Sequence, residues 1–429
     1  MLLIKNGNVF QDGVFKQNSI LVDSGKIAKI APNIPETRVE QIIDAQGLFV
    51  VPGMIDVHVH FREPGGEHKE DWTTGSRAAA AGGVTTVFDM PNNAPPVTDQ
   101  QGVAGKRERA KKSLVNYGMY VGATKENVLK INEVRDVVGV KVYMGSSTGN
   151  LLLDNIADFV KLVENTTKHI VVHAENEEMI KYFSEKFRAT KMHHKMRDNF
   201  CAAVAAASTG IAANYFKKHV HIAHMSTKEE VEFLKKYKTE YITCEVCPHH
   251  LFFDQEFFCE HGNFGKMNPP LRYAEDTKSL WDAVNAGLID MIATDHAPHT
   301  KDEKHQEFEK APCGVPGVQT AYPLMLDAAL NKKTTIATAV RLCAENPARV
   351  FGLTTKGKIK EGFDADLAIV NLNKEVTIKN EDQQSKCGWT PFDGRKIKAS
   401  VVTTIVNGNV VFDKGTFNDA VKGNLVVGQ

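Results

Sequence analysis

The sequence predicts an α/β fold in which a (β/α)₈ TIM-type barrel carries a small β-sandwich formed from both termini. Over roughly 300 central residues, eight apolar strand-like stretches alternate with helical stretches, as in a (β/α)₈ barrel. Short β segments bounded by turn residues occupy both ends instead. With 429 residues, of which 42% are hydrophobic, the chain is long enough for a barrel and a second, smaller unit.

The two ends of the chain read as short strands separated by tight turns. Asn6-Gly7 and Ser24-Gly25 mark turns near the start, because these residues accept the positive backbone angles of tight hairpins. The same pattern of short strands and tight turns returns after residue 356, where Asn407-Gly408 marks another hairpin. We therefore expect the two ends to pair beside a central catalytic barrel, with these limits: 1–52 and 356–429 for the β-sandwich and 53–355 for the barrel.

The predicted barrel strands are short apolar runs rich in β-branched residues. They are Met54–His60, Val84–Met90, Asn116–Ala123, Val137–Met144, His169–His173, Val220–His224, Tyr241–His249 and Asp290–Asp295. The helical stretches between them include Ser76–Ala81, Asp154–Glu164, Asn199–Phe216 and Lys228–Tyr237. The sequence contains no internal repeat that would indicate another architecture.

Charge balance and cysteine usage limit the partners and the compartment. Lys plus Arg and Asp plus Glu number 52 each, so no general charge attracts nucleic acid or an anionic membrane, and any anion site must be local. The seven scattered cysteines do not resemble the framework of a disulfide-stapled secreted protein. No signal-peptide pattern and no apolar run of about 18 residues is present. We expect a soluble, cytoplasmic protein.

The most informative stretch is His58-Val-His60-Phe-Arg62, at the end of the first predicted barrel strand. A strand sends alternate side chains to the same face, so these three polar groups share one face if the chain stays extended. The two imidazoles would then stand about 6–7 Å apart along the strand, near enough to bind one metal ion. For this motif alone, the alternative of two hydrogen-bonded core histidines stays open.

Further polar residues fall where the other predicted strands end. The reactive groups of a (β/α)₈ barrel lie at the carboxyl ends of its strands, so these residues would meet at one mouth. They are Asn92, Lys141, His173, His224 and Asp295. Four histidines and a carboxylate converging there favour a metal centre over separate core residues.

Lys141 is an unusual residue for a buried strand. A buried ammonium costs several kcal/mol unless it is paired, so the simplest interpretation is a salt-bridged or snorkelling lysine. In a dry site beside metal cations its pKa would fall, and the neutral amine could add carbon dioxide to form a carbamate. A carbamate is an anionic oxygen donor able to bridge two metals, and the number of ligands favours a pair about 3.5–4 Å apart. Such a centre would favour the binding of an anionic substrate.

As a set, the motifs resemble the dihydroorotases of the amidohydrolase superfamily over nearly the whole chain. The matching segments are His58-Val-His-Phe-Arg-Glu-Pro-Gly65, Met90-Pro-Asn-Asn93, Gly139-Val-Lys-Val-Tyr-Met144, Val172-His-Ala-Glu175, His224-Met-Ser-Thr227, Lys266-Met-Asn-Pro-Pro-Leu-Arg272, Ala293-Thr-Asp-His-Ala-Pro-His299, Gly362-Phe-Asp-Ala-Asp-Leu367 and Thr390-Pro-Phe-Asp-Gly394. The family's barrel, flanked by a β-sandwich from both termini, agrees with the fold expected above. Cys247 departs from the pattern, since Thr is common at that position.

The resemblance implies a pair of zinc ions bridged by carboxylated Lys141 and a hydroxide. One zinc would be held by His58, His60, Lys141 and Asp295, and the other by Lys141, His173 and His224. The resemblance also implies that substrate is bound by two groups of residues. Arg62, Asn92 and His299 would bind its carboxylate, and Asn268 with the backbone of Gly314, Val315, Pro316 and Gly317 would contact the ring amides.

The implied reaction is the reversible cyclisation of N-carbamoyl-L-aspartate to dihydroorotate and water, a step of pyrimidine biosynthesis. Asp295 would be the catalytic acid and base, moving a proton between the attacking water and the leaving nitrogen. The expected partner is therefore a small anionic substrate. We also expect a homodimer, and association with an aspartate transcarbamoylase stays open.

The sequence leaves two rival functions open. Allantoinase or dihydropyrimidinase would share the metal ligands, although Arg62-Glu-Pro-Gly65 and Asn268-Pro-Pro-Leu-Arg272 favour a ring that carries an acid. A catalytically inactive scaffold is the rival from another class, but such proteins typically lose metal ligands, and this chain keeps all six.

Three further patterns are interpreted as structural. Cys244-Glu-Val-Cys247-Pro-His249-His250 resembles a zinc knuckle, but sulfurs three residues apart on a strand face opposite sides, which favours two buried cysteines. The roles of His249 and His250 stay open. His193-His194 lies in a basic run and is expected on a solvated surface, as is the charged segment Lys301–Lys304, unless that segment forms a loop over the mouth.

Overall fold

The structure is a computed structural model that describes residues 1–146, 151–188 and 192–428. Its strands in chain order are β1 (Leu2–Gln11), β2 (Val14–Asp23), β3 (Lys26–Ala31), β4 (Gln41–Asp44), β5 (Phe49–Pro52), β6 (Met54–Val59), β7 (Val84–Asp89), β8 (Asn116–Gly122), β9 (Gly139–Tyr143), β10 (Ile170–His173), β11 (Val220–Ile222), β12 (Ile242–Val246), β13 (Met291–Ile292), β14 (Leu367–Asn371), β15 (Val376–Thr377), β16 (Lys396–Ile397), β17 (Ser400–Val406), β18 (Asn409–Asp413) and β19 (Thr416–Phe417).

Helices follow most of the central strands. In chain order they are α1 (Trp72–Ala81), α2 (Gln100–Ala110), α3 (Ile156–Asn165), α4 (Glu177–Phe187), α5 (His193–Met196), α6 (Asn199–Phe216), α7 (Lys228–Tyr237), α8 (Pro248–Phe252), α9 (Gln255–His261), α10 (Ala274–Asn285), α11 (Lys301–Lys304), α12 (Ala321–Leu330), α13 (Ile336–Val340) and α14 (Asn346–Val350). Within the described ranges, no helix is both long and apolar enough to span a bilayer.

The central strands form the predicted barrel. In the part of the chain that the structure describes, β6 to β13 pair in parallel and in sequence order as one eight-stranded sheet. Its two edges meet where His60 N donates to His296 O at 2.8 Å and Thr294 N donates to the Asp56 carboxylate at 3.0 Å. The sheet is therefore nearly closed, and the predicted (β/α)₈ fold is confirmed.

The sequence overestimated the length of several strands. The predicted strand Tyr241–His249 is Ile242–Val246 in the structure, because Pro248 begins α8. Proline favours the first turn of a helix, since its fixed φ suits that turn and its missing N–H would have had no partner there. The strand therefore ends early, and Cys247, His249 and His250 lie at the mouth of the barrel rather than along its wall.

Strands from both ends of the chain share a second sheet. Within the described residues it has nine strands in the order β19-β18-β17-β14-β5-β1-β2-β3, with β4 paired to β1. The ends of the chain meet where β5 pairs antiparallel with β14, with Val50 opposite Ile369. This pairing confirms that both termini build one β unit, while the domain limits at residues 52 and 355 stay a prediction.

An apolar cluster fills the barrel at the end opposite the strands' carboxyl ends. The ring of Phe351, which follows α14, lies 5.1 Å from the ring of Phe88 and 4.8 Å from that of His169, at the start of β10. Ile55, Val57 and other strand residues bury their side chains in the same cluster. The apolar packing at this end leaves the opposite rim for the polar side chains that end the strands.

Capped helix starts shape the loops at that rim. Thr227 caps α7 by accepting a hydrogen bond from Glu230 N, while the Glu230 carboxylate accepts from Ser226 N and Thr227 N. This reciprocal pair satisfies N–H groups that a helix start otherwise leaves unbonded. The pair therefore fixes the loop between His224 and the helix cap, Thr227, which lies three residues after His224.

Asp56 is expected to be important for barrel closure. Its buried carboxylate accepts hydrogen bonds from Thr294 N, Thr294 Oγ1 and His58 N. Asp56→Ala would leave these donors unsatisfied in the interior, which should lower the free energy of unfolding by about 1–3 kcal/mol. Urea unfolding measures the change, with Asp282→Ala as control, since Asp282 forms only an exposed ion pair with Lys278. Equal stability of the two variants would contradict the role of Asp56.

Candidate metal centre

The two imidazoles at the end of β6, His58 within the strand and His60 just after it, are oriented by hydrogen bonds at their Nδ1 atoms. His58 Nδ1 lies 2.5 Å from Glu245 Oε1, and His60 Nδ1 lies 2.6 Å from Asn92 Oδ1. An oxygen acceptor at Nδ1 places the ring proton there and leaves the lone pair on Nε2, as in many metal-binding histidines. The ring centroids stand 5.4 Å apart, although β6 ends at Val59 and the chain does not stay extended as far as Arg62.

Asp295 meets both rings from the opposite edge of the barrel. Its Oδ1 lies 2.9 Å from His60 Nε2 and 3.4 Å from His58 Nε2. Burial favours the protonated carboxyl, but the nearby His58 and the contact with His60 outweigh it and hold the pKa of Asp295 well below its usual range. Burial lowers the pKa of His60 to about 4, so this imidazole is neutral near pH 7. The three residues therefore offer one anionic oxygen and two neutral nitrogens.

These contacts fit a cation. With its proton on Nδ1, neutral His60 presents an Nε2 lone pair to the Asp295 oxygen, and two acceptors 2.9 Å apart repel each other. A metal ion between the donors would remove that repulsion, and imidazole with carboxylate is a ligand set of zinc and related divalent ions. The donor atoms of His58, His60 and Asp295 all lie within 4.8 Å of one another. These three residues can therefore hold a metal.

A second pair of histidines lies beside the first. His173 Nδ1 is 2.9 Å from His224 Nε2, and the His224 ring centroid is 5.2 Å from that of His58. Burial lowers the pKa of His173. Burial and the neighbouring His173 together bring the pKa of His224 well below its usual value. All four predicted histidines therefore lie in one continuous group with Asp295.

Lys141 lies inside the barrel wall next to this group. It is fully buried on β9, which pairs with the strand of His173, and its Nζ has no hydrogen-bond partner among the described residues. Burial lowers its pKa to about 8, and the charges of Glu245 and Asp295 oppose part of that shift. The simple interpretation of a salt-bridged lysine is therefore wrong, since the amine is buried without an ion pair.

The backbone is strained at three of the site residues. Arg62, His224 and Asp295 have φ values of 63°, 37° and 45°, in the left-handed region that residues other than glycine rarely occupy. Each such residue costs on the order of 1–3 kcal/mol and persists only where the surrounding structure holds it. The strain lies at the ends of three barrel strands, where it aims side chains into the mouth.

Two buried glutamates that were not predicted to be site residues lie against the histidines. Glu245 on β12 contacts His58 Nδ1, His221 Nε2 at 3.1 Å and the backbone N of His224 at 3.2 Å. Glu175 lies 3.1 Å from His173 Nε2 and accepts two hydrogen bonds from Arg197. The only sequence signal for either was an acidic residue at the end of an apolar strand.

A basic group lies at one side of the mouth. Arg62 is buried, its Nε donates to Pro298 O at 3.2 Å, and its Nη2 lies 3.1 Å from His299 Nε2. Burial and the neighbouring guanidinium lower the pKa of His299 to about 3, so this imidazole is neutral. The structure therefore brings Arg62 and His299 together, as predicted, with a planar cation held next to the Asp295 segment.

The structure shows hydrogen-bond contacts between neighbouring residues and the two asparagines predicted to bind substrate, Asn92 for the carboxylate and Asn268 for the ring amides. Asn92 uses its carbonyl oxygen on His60, and the Oδ1 of Asn268 lies 2.8 Å from His193 Nε2. The expectation that His193 and His194 are solvated is wrong, because both are buried, and His193 also contacts Met267 O at 3.0 Å. His193 therefore fixes the orientation of the Asn268 amide, a role that the surrounding basic run concealed.

A buried lysine, Lys304, contacts the backbone of the loop 314–317 and holds it in place. Lys304 Nζ donates to the carbonyl oxygens of Lys266, Pro312 and Gly314 at 2.9 to 3.1 Å. Lys304 is therefore a buried anchor, whereas Lys301 and Asp302 of α11 are exposed as expected. Gly314 N donates to Lys266 O, and Gly317 N donates to His296 Nδ1. Two of the four predicted backbone positions therefore already use their N–H groups, and Pro316 has none.

Comparisons with known proteins identify the family of this chain. A model of the amidohydrolase family matches residues 49–411. A dihydroorotase of Methanosarcina mazei is 39% identical over 411 residues, covering 91% of this chain and 90% of that protein. A dihydroorotase of Staphylococcus aureus is 37% identical over 426 residues, covering 96% of this chain and 99% of that protein.

The fold has close counterparts among solved structures. The L-hydantoinase (dihydropyrimidinase) from Arthrobacter aurescens aligns with a TM-score of 0.92 and 28% identity over 97% of each chain. The sequence similarity to dihydroorotases is higher, and it extends over nearly the full length of both chains. The chain therefore belongs to the amidohydrolase family and, within it, to the dihydroorotases, which are hydrolases of cyclic amides.

Proposed function

We propose that this chain interconverts N-carbamoyl-L-aspartate and (S)-dihydroorotate plus water, a step of pyrimidine biosynthesis. The observation that carries this proposal is the buried Arg62 with His299, placed beside a cluster of imidazoles that converges on Asp295. A hydrolase of cyclic amides needs the cluster, and a ring that bears a carboxylate needs the arginine. The similarity to dihydroorotases supports the same assignment.

We propose two divalent metal ions, such as Zn²⁺, at the mouth. His58, His60, Asp295 and a carbamate on Lys141 would hold one ion, and Lys141, His173 and His224 would hold the other. The unpaired, buried Nζ of Lys141 supports the carbamate, since the modification would turn an orphaned amine into a ligand. When bound, the two ions would polarise the ring amide carbonyl and lower the pKa of a water molecule.

The protein's own groups would orient the ring and move the proton. In the direction of ring opening, Asp295 would take a proton from the attacking water, whose oxygen bonds to the amide carbon. It would then deliver that proton to the ring nitrogen as the carbon–nitrogen bond breaks. The low pKa of Asp295 keeps this carboxylate ionised before reaction, so that it can accept a proton. Glu245 and Asn92 would hold the imidazoles in one tautomer throughout.

Substrate orientation would come from the two sides of the mouth. Arg62 and His299 would bind the carboxylate together with Asn92, whose side-chain oxygen contacts His60 Nδ1. Asn268 would present its amide to the ring, and the loop of Gly314, Val315, Pro316 and Gly317 would contribute through Val315 and the carbonyl of Pro316. His193 and Lys304 would act by positioning that amide and that loop.

The remaining expectations concern assembly and location. The free cysteines Cys201, Cys244, Cys247, Cys259, Cys313, Cys343 and Cys387 suit the reducing cytoplasm that we propose. A homodimer and association with a transcarbamoylase stay predictions from the family resemblance. A dihydropyrimidinase-type activity is the second candidate, favoured by the structural likeness to an L-hydantoinase.

Substrate preference distinguishes these activities. We expect kcat/KM to be higher for dihydroorotate than for dihydrouracil or allantoin, because only dihydroorotate offers a carboxylate to Arg62. Arg62→Lys should raise KM for dihydroorotate by about 10- to 100-fold, since a charge-assisted hydrogen bond contributes about 1.5–3 kcal/mol and an ammonium cannot bind bidentately. Arg77→Lys, which changes an exposed pair with Asp419, is the control. An unchanged KM in Arg62→Lys would remove this residue from the site.

Loss of the Asp295 carboxylate should affect turnover most. We expect Asp295→Asn to lower kcat by about 10²- to 10⁴-fold, the usual contribution of a general acid or base. Steady-state kinetics in both directions, with substrate affinity measured separately, would distinguish lost proton transfer from lost binding. Asp282→Asn on the surface is the matched control. Turnover close to that of the wild type would refute the assignment of Asp295.

The carbamate on Lys141 can be tested by chemical rescue. Lys141→Ala should lose nearly all activity, and added acetate or propionate should restore a measurable part, because a free carboxylate can occupy the space of the carbamate. The same acids should not activate the wild type or Lys278→Ala, which alters an exposed lysine. Full activity of Lys141→Ala without added acid would exclude a bridging role for this residue.

A further inference from the structure

A second group of possible metal ligands lies at the carboxyl end of β12. The donor atoms of Cys247, His249 and His250 all lie within 4.8 Å of one another, and all three residues are buried, with relative exposures of 0%, 2% and 2%. None of them belongs to the cluster around Asp295. The mechanism proposed above uses none of the three.

Two ring nitrogens of this group lack hydrogen-bond partners. His250 Nε2 lies 3.0 Å from Pro269 O, a contact that requires the ring proton on Nε2 and leaves the lone pair on Nδ1. Neither His250 Nδ1 nor His249 Nε2 has a hydrogen-bond partner among the residues that the structure describes. A buried polar atom without a partner costs about 1–3 kcal/mol, so two of them beside a buried thiol require an explanation.

The local structure brings these donors together within four residues. Cys247 is the N-cap of α8, Pro248 occupies its first turn, and His249 and His250 follow directly. Cys244 is not among these grouped donors, and its Sγ instead lies 3.5 Å from Leu288 O. A zinc knuckle built on the two cysteines is thus excluded, and one cysteine with two histidines takes its place.

We propose that Cys247, His249 and His250 form a third cation site for a borderline-soft divalent ion such as Zn²⁺. One sulfur and two imidazole nitrogens are ligands that zinc favours, and three protein ligands leave a fourth position for water or another small donor. Binding would release the proton of the Cys247 thiol, since the thiolate is the ligand. Zinc bonds of about 2.0–2.3 Å require the three donors to converge on one point, which donor atoms within 4.8 Å of one another can do.

The site would stabilise a segment next to the mouth. His250 connects α8 to Pro269 O, and Asn268 is the neighbouring residue that we assign to the substrate ring. An ion on the other nitrogen of His250 would fix this ring and with it the carbonyl that it contacts. This positioning role rests on the proposed function, whereas the metal site itself does not.

Cobalt substitution tests the site independently of turnover. The donors around Asp295 are nitrogen and oxygen atoms, so a sulfur-to-cobalt charge-transfer band in the Co²⁺-loaded protein would report a thiolate ligand. We expect this band in the wild type, its loss in Cys247→Ser, and its retention in the matched control Cys244→Ser. Elemental analysis should find one metal equivalent fewer in Cys247→Ser than in the wild type.

Further variants keep the test decisive if Cys247→Ser folds poorly. Cys247→Thr introduces the residue common at this position in the family that the sequence resembles, and His250→Asn removes a second ligand. Both should lose the band and one metal equivalent while circular dichroism stays unchanged. Absence of the band in the wild type would overturn the proposal, as would its persistence in folded Cys247→Ser or Cys247→Thr, since another thiol, such as exposed Cys259, would then be the ligand.

Discussion

The meeting of Asp295 with the histidines of the first barrel strand is the contact on which the rest of the structure depends. The carboxylate comes from the end of the last strand and the imidazoles from the end of the first, so they can meet only if the sheet closes. The hydrogen bonds of Asp56 with Thr294 join the same two edges one layer below. Barrel closure and assembly of the metal centre are therefore one structural event.

This arrangement places many charged and polar groups in the interior, where each needs a partner. Glu245 supplies an acceptor for His58, Glu175 lies 3.1 Å from His173 Nε2, and Arg197 balances the charge of Glu175. The result is a shell of paired ionised side chains around the imidazoles. The left-handed backbone at His224 and Asp295 fits this view, since strain persists only where neighbouring contacts over-determine the conformation.

Much of the site could be predicted because its members end parallel strands. His173, His224 and Asp295 lie far apart in the sequence, yet the carboxyl ends of barrel strands share one rim, so position along each strand was enough to place them together. His193 and Lys304 could not be predicted in this way. Each lies in a charged run typical of a surface, and each is buried only because a distant segment around Lys266 to Asn268 packs onto it.

The sequence by itself determined the barrel and the shared sheet of the two termini, because these follow from local periodicity, and it predicted which polar side chains gather at the strand ends. Only the tertiary structure decided which ring nitrogen faces the centre, how the loop at Gly314 is anchored and that Cys247 groups with His249 and His250 rather than with Cys244. The physical reason is that hydrogen-bond direction and donor spacing are set by contacts between segments far apart in the chain. Local patterns carry no information about those contacts.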